Sequence, residues 1–341
     1  MTSMNKTFLV TGSSGFIGFH VCKTLLDNGH VVLGIDSLDD YYDVNLKLDR
    51  QKILEKYKKF SVSNESILNS AAILELFEKA DPDCVIHLAA QAGVRYSIEN
   101  PRAYLNSNIV GTFEILEACR LFNTSHVMIA STSSAYGANE IMPYTENQKC
   151  DHQLSFYAAT KKATENLGHS YSHIHKLPIT FFRFFTVYGP WGRPDMALFK
   201  FTKAILNDEP IDVYNHGVME RDFTYIDDLV TAIFKLTECP PTYGESGESR
   251  KDFDSLSPVA SFRVVNIGNS NSESLTNFIE EIERGLGKSA KRNYLPMQQG
   301  DVPATWADAS LLKHLTGYKP NTSVEIGVKK FIDWYLEYYQ K

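Results

Sequence analysis

Apolar and polar positions change their period repeatedly along this chain, and each change marks a new element. Residues 6–11 (KTFLVT) form an apolar run closed by glycines, and residues 15–26 then carry apolar side chains at helical spacing. The pattern predicts strand, turn and helix. It repeats: HVVLGID at 30–36, KFSV at 59–62, DCVIHLAA at 83–90, HVMIAST at 126–132 and ITFFRFF at 179–185 are strand-like, with helix-like segments between them. Near-continuous apolar strands separated by helices predict an α/β fold with a doubly wound parallel sheet covered on both faces.

Proline, glycine and loop residues become frequent after residue 186, in TVYGPWGRPDMA, and a chain of 341 residues exceeds one ordinary core. The expected division is a dinucleotide-binding domain over 1–180 and a smaller C-terminal α/β substrate-binding domain over 181–341, with some later segments folding back onto the first. The stretch 240–258 (PPTYGESGESRKDFDSLSP) is polar and rich in turn formers, and reads as an exposed, mobile insertion.

The composition, 43% hydrophobic and 22% charged, is that of a globular enzyme, and no window supplies the ~18 uninterrupted apolar residues of a membrane span. The first residues lack the basic start and long apolar stretch of a secretion signal. Five scattered cysteines offer neither metal-ligand spacing nor a disulfide framework, so the expected location is the cytoplasm and no metal is expected. A net charge of -7 without a basic run argues against nucleic acid as a partner.

The chemistry begins at the first turn. Gly12, Gly15 and Gly18 stand at G-x-x-G-x-x-G spacing directly after a strand and at a helix start. There Gly12 makes the turn, Gly15 admits a pyrophosphate, Gly18 lets helix and sheet close up, and the helix N-terminus offers free N–H groups to phosphate. The sheet is therefore of the Rossmann type. Asp36, at the end of the second strand, is placed to accept from both ribose hydroxyls and would repel a 2'-phosphate, which selects NAD over NADP.

Tyr157 and Lys161 are four apart in a helix-like segment and so share a face. An unperturbed phenol, with pKa near ~10, is a poor base at neutral pH, but an adjacent ammonium and a positively charged nicotinamide both favour the phenolate. The hydroxyl-rich run Ala130-Ser131-Thr132-Ser133-Ser134-Ala135-Tyr136-Gly137 follows a strand, at the end of the sheet where ligands of open α/β folds bind.

With these motifs, and with HLAAQAGVRYS at 87–97, RDFTYIDD at 221–228 and GDVPATWAD at 300–308, nearly the whole chain resembles the extended short-chain dehydrogenase/reductases, and within them the nucleotide-sugar 4-epimerases. The resemblance implies that Tyr157 deprotonates the sugar 4-hydroxyl while NAD accepts and later returns hydride at carbon 4. It makes Thr132 the hydroxyl partner of Tyr157, and Ser133 and Ser134 contacts of the hexose. It assigns Phe16, Ile17, Ile67, Leu88, Ala89 and Ala90, with the glycines, Asp36, Tyr157 and Lys161, to the cofactor.

Related dehydratases and decarboxylases usually carry a glutamate two residues before the Tyr-Gly of the hydroxyl cluster; Ser134 stands there, which disfavours elimination and UDP-glucuronate decarboxylation. The run TVYGPWGRPDMA at 186–197 looks like that of uronate epimerases, so Thr186 and Arg193 are expected at a sugar carboxylate, the guanidinium fork matching it. Arg221 is expected on the UDP phosphates and Asp301 on a ribose hydroxyl. Asp222, Asp227 and Asp228 read as structural. Two positions depart from the pattern: Gln298 replaces a frequent second phosphate-binding arginine, and Ser66 replaces an adenine-binding aspartate.

The expected activity is thus NAD-dependent 4-epimerisation of UDP-glucuronate and UDP-galacturonate. The alternatives are a 4-epimerase of UDP-glucose or UDP-N-acetylhexosamine, and, less favoured, the decarboxylase or a non-catalytic NAD-binding module. The resemblance also implies a homodimer formed through the Tyr157 helix and the helix near 100–122; core packing explains the apolar Leu116, Leu121 and Leu167 of these segments equally well.

Overall fold

The computed structural model describes residues 5–244, 252–298 and 300–339. Seven strands form one fully parallel sheet in the order β3 (Phe60–Ser63), β2 (Val31–Ile35), β1 (Thr7–Thr11), β4 (Cys84–His87), β5 (His126–Thr132), β6 (Ile179–Phe184) and β11 (Phe262–Ile267). Short strands β7 (Thr186–Tyr188), β8 (Pro210–Val213), β9 (Glu220–Arg221) and β10 (Phe223–Tyr225) follow β6 before β11 returns to the sheet. This is the doubly wound, Rossmann-type arrangement that the alternation predicts.

Strand period explains the two covered faces. Phe8 and Val10 of β1, with Cys84 and Ile86 of β4, enter one apolar cluster, while Leu9 and Val85 enter the other. Helices α1 (Phe16–Asp27) and α2 (Val44–Leu54) flank the first cluster; α3 (Ser70–Ala80) supplies Ile73 and Phe77 to the second. The chain leaves β1 towards β2 and β3 on one side and resumes with β4 on the other. That reversal opens a crevice above the carboxyl ends of β1 and β4.

Residue 180 lies inside β6, and β11, absent from the strands read by pattern, pairs along β6 from Phe262↔Ile179 to Ile267↔Phe184, a later segment folding back onto the first sheet. The stretch 240–258 is only partly within the described residues, and its end is packed rather than exposed: Asp254 and Leu256 are buried, and Arg263 of β11 donates to Asp254 at 2.9 and 3.0 Å. Core packing accounts for Leu116, which is wholly buried, and for Leu167, which packs on the core, while Leu121 is exposed. Among the described residues no helix is long and apolar enough to cross a membrane.

Candidate active site

The crevice is a cavity of about 1050 Å³, and every residue singled out by sequence for cofactor, catalysis or sugar lies on its wall. At its floor the turn after β1 is built by steric necessity. Gly12 has φ +71°, and a Cβ there would lie 2.9 Å from the amide nitrogen of Ala89; a Cβ on Gly18 would lie 1.9 Å from the carbonyl oxygen of Gly12. Helix α1 begins at Phe16 with no side-chain cap and no acidic residue in its first turn, leaving its leading N–H groups available to an anion. Asp36 accepts from the amides of Ser14 and Leu38, both at 2.9 Å, which fixes its carboxylate on the rim. Thr11 Oγ1 accepts from the amides of Leu88 and Ala89 at 3.1 and 3.0 Å, tying that wall to β1. These features fit a dinucleotide: close backbone approach, open helix donors and one fixed carboxylate.

Helix α7 (Phe156–His175) brings Tyr157 and Lys161 to the same wall; α4 (Tyr96–Glu99), α5 (Pro101–Tyr104) and α6 (Gly111–Leu121) precede it. Ser155 caps α7 by accepting from the amide of Ala158 at 3.1 Å. Asn108 joins the backbone of Gln91 to the hydroxyl of Thr160 and so ties the loop after β4 to α7. Burial pushes the Tyr157 phenol above its ordinary pKa, while a hydrogen bond with Thr132 and the charge of Arg193 pull it back down. Burial lowers Lys161 to about 8, against the opposing charge of Glu165. Lys161, one helical turn after Tyr157, and Arg193 both lie on the cavity wall with the phenol.

Thr132 ends β5 and caps the helical turn 133–136, its Oγ1 accepting from the amide of Ser134 at 3.2 Å, so Ser133 and Ser134 are presented together to the cavity. Beneath them lies an ion pair that sequence reading missed. Arg183 of β6 donates to both oxygens of Glu165 at 2.9 and 2.8 Å, and Ser131 donates to the same carboxylate at 2.6 Å. Burial alone would raise Glu165, but Arg183, Lys162 and Ser131 together hold it down at about 2. The signal was present: an arginine inside an apolar strand must find a partner.

On the sugar side, Thr186 opens β7 and Arg193 sits in the following loop. Arg193 already faces a carboxylate of this chain, donating through Nε and Nη2 to Asp195 at 2.9 and 2.6 Å; Tyr41 donates to the same Asp195 at 3.4 Å. Arg221 behaves similarly. It donates to Asp301 at 2.8 Å and to the carbonyls of Glu220, Val302 and Pro303, so two residues assigned to separate parts of UDP answer each other. Asp222, read as structural, accepts from the amides of Asn269, Ser270 and Ala307 and pins two loops of this lobe. Ser66 lies on the wall beside Ile67, its hydroxyl accepting from the amide of Leu68.

A sequence profile of the NAD dependent epimerase/dehydratase family matches residues 8–247. The chain belongs to that family. It is 52% identical over 334 residues to a probable UDP-glucuronate 4-epimerase of Rhizobium meliloti, covering 98% of both chains. Its structure is similar to that of the UDP-glucuronic acid 4-epimerase from Bacillus cereus in complex with UDP-glucuronic acid and NAD, with TM-score 0.87, 35% identity and coverage of 98% of this chain and 100% of that one. It is also similar to the UDP-glucose 4-epimerase with UDP-glucose from Thermotoga maritima, with TM-score 0.83, 27% identity and coverage of 97% and 99%. Both uronate and neutral-sugar enzymes thus share the frame, and the sugar must be argued from the site.

Proposed function

We propose that this chain is an NAD-dependent UDP-glucuronate 4-epimerase, interconverting UDP-glucuronate and UDP-galacturonate. The observation that carries the reading is a guanidinium, that of Arg193, on the same cavity wall as Tyr157, Thr132, Ser133 and Ser134. The glycine turn, the open end of α1 and Asp36 hold the NAD, which when bound accepts hydride from carbon 4 and gives it back. Tyr157 takes the proton of the 4-hydroxyl as that hydride leaves, and returns a proton to the keto oxygen after the sugar has turned its other face. Thr132 orients the phenol. The 4-keto uronate is a β-keto acid that loses carbon dioxide when its carboxylate bond aligns with the carbonyl π system. Thr186, Arg193 and the cluster hydroxyls hold the carboxylate off that alignment.

Asp195 supports a second reading, epimerisation of a neutral UDP-hexose, because it already neutralises Arg193. The discriminating assay offers UDP-glucuronate, UDP-glucose and UDP-N-acetylglucosamine separately, without added oxidant or reductant, and identifies the sugars by chromatography. UDP-galacturonate as the sole new product is the expected result; conversion of a neutral sugar instead would transfer the reading to the neutral epimerases. In the same assay Arg193→Met is expected to raise KM for UDP-glucuronate roughly 10- to 100-fold, as loss of a charged bidentate donor does, and to release some pentose product. An unchanged KM and epimer-to-pentose ratio would remove Arg193 from carboxylate binding.

We further propose a cytoplasmic homodimer. Ile98, Leu105, Val110 and Phe113 before and on α6, with Phe156 at the start of α7, are exposed and lie on or beside the two helices of the expected interface. Light scattering is expected to give twice the chain mass, with Phe113→Lys shifting it towards one chain. A single-chain mass for the unsubstituted protein would dismiss the dimer.

A further inference from the structure

The loop that carries Arg193 is fixed from the cofactor side of the molecule. Arg50 of α2 is wholly buried. Its Nη1 donates to the carbonyl of Ser14, in the glycine turn, at 3.0 Å and to the hydroxyl of Tyr42 at 2.9 Å. Its Nη2 donates to the carbonyls of Trp191 at 2.6 Å and Gly192 at 3.4 Å, the two residues before Arg193. One planar guanidinium therefore spans the dinucleotide turn and the sugar-side loop, a geometry that a lysine cannot reproduce from a single nitrogen.

Two further ties act in the same sense. His20 of α1 lies 3.0 Å from the carbonyl of Pro190. Burial lowers that imidazole to about 4 despite the bond, so at neutral pH it is uncharged and donates through Nε2. Trp191 holds φ +61°, a conformation rare for a residue with a Cβ, and its ring is boxed by Phe19, Trp334 and Tyr338. All the acceptors of Arg50 are neutral oxygens.

We propose that Arg50 is a positioning residue for sugar recognition: it seats the 190–193 loop on the dinucleotide turn and thereby sets where Arg193 meets the substrate carboxylate. The proposal rests on the reading of Arg193 given above. Arg50 does not line the cavity and acts only through the loop.

The test measures calorimetric Kd for UDP-glucuronate and UDP-glucose on NAD-loaded protein in a Tyr157→Phe background, where no turnover disturbs binding. Arg193→Met is the reference and is expected to lose the preference for UDP-glucuronate. Arg50→Met is expected to lower that preference about tenfold, the scale on which a misplaced group costs affinity, with UDP-glucose affinity and NAD content changed less than about twofold. Arg50→Lys should recover part of it. If Arg193→Met keeps the preference, the carboxylate reading falls and this proposal with it. If Arg193→Met loses the preference but Arg50→Met keeps it, or loses both ligands equally, the proposal alone falls. Should Arg50→Met fail to fold, His20→Leu, which cuts the separate tie at Pro190, must show a smaller loss of the same selective kind; an unselective loss overturns the proposal.

Discussion

Tyr157→Phe is expected to lower kcat for epimerisation by roughly 10²- to 10⁴-fold, the usual contribution of a positioned acid/base. UDP-glucuronate binding and NAD content should remain near those of the parent. The ring keeps its packing, since Tyr104 meets it edge-on at 6.0 Å between centroids whether or not a hydroxyl is present. What disappears is the phenol hydroxyl, which burial holds towards its protonated form while Thr132 and Arg193 favour its ionisation. Thr132→Val should cost less, because it removes an orienting partner and leaves the base. Single-turnover rates on NAD-loaded protein measure both. A Tyr157→Phe enzyme with the parent rate would mean that the proton leaves by another route.

Glu165→Gln is expected to destabilise the fold by about 3–5 kcal/mol, the cost of leaving one member of a buried ion pair without its partner. Glu165 and Arg183 are both wholly enclosed, and Ser131 adds a third bond to the carboxylate. The sign with pH follows from the shift. A carboxylate held at about 2 in the fold, against ~4.3 when unfolded, contributes stability that is present above the unfolded value and is lost as pH falls from there towards 2. Denaturation midpoints should therefore fall between about pH 5 and 2 in the parent, and Glu165→Gln should lack this contribution to the slope. Replacing both residues, as Glu165→Leu with Arg183→Met, should cost less than either single change. If the two single losses simply add, the pair is not coupled and the account is wrong.

Much of this site was legible because its parts are local. A glycine turn, the carboxylate after the next strand and a tyrosine four residues before a lysine are all spacings within one strand-turn-helix unit or one helical turn. What escaped reading was set by distance along the chain. Arg50 meets the loop some 141 positions on, and Arg221 meets Asp301 after 80. No periodicity reports such pairings, because the fold alone brings them together. Arg183 could have been flagged as a charge within an apolar strand, but its partner lay on a helix already read for other reasons. Asp195 stands only two residues from Arg193, a loop spacing that does not separate a guanidinium paired within the chain from one turned to a substrate. The seventh strand was missed for a related reason. Residues 262–267 are apolar enough, but they follow a long polar stretch, and only pairing with β6 gives them a place.

That late strand bears on how the chain is made. The outer edge of β6 has no partner until Ile267 has been synthesised, roughly eighty residues after Phe184. At ~5–20 residues per second this leaves an open parallel edge of Ile, Thr and Phe around the single Arg183 on the ribosome for roughly 4 to 16 s. An edge of that composition is a template for wrong pairing. Slowing translation across 185–262 would lengthen this window, and a chaperone that covers such an edge would matter most during it.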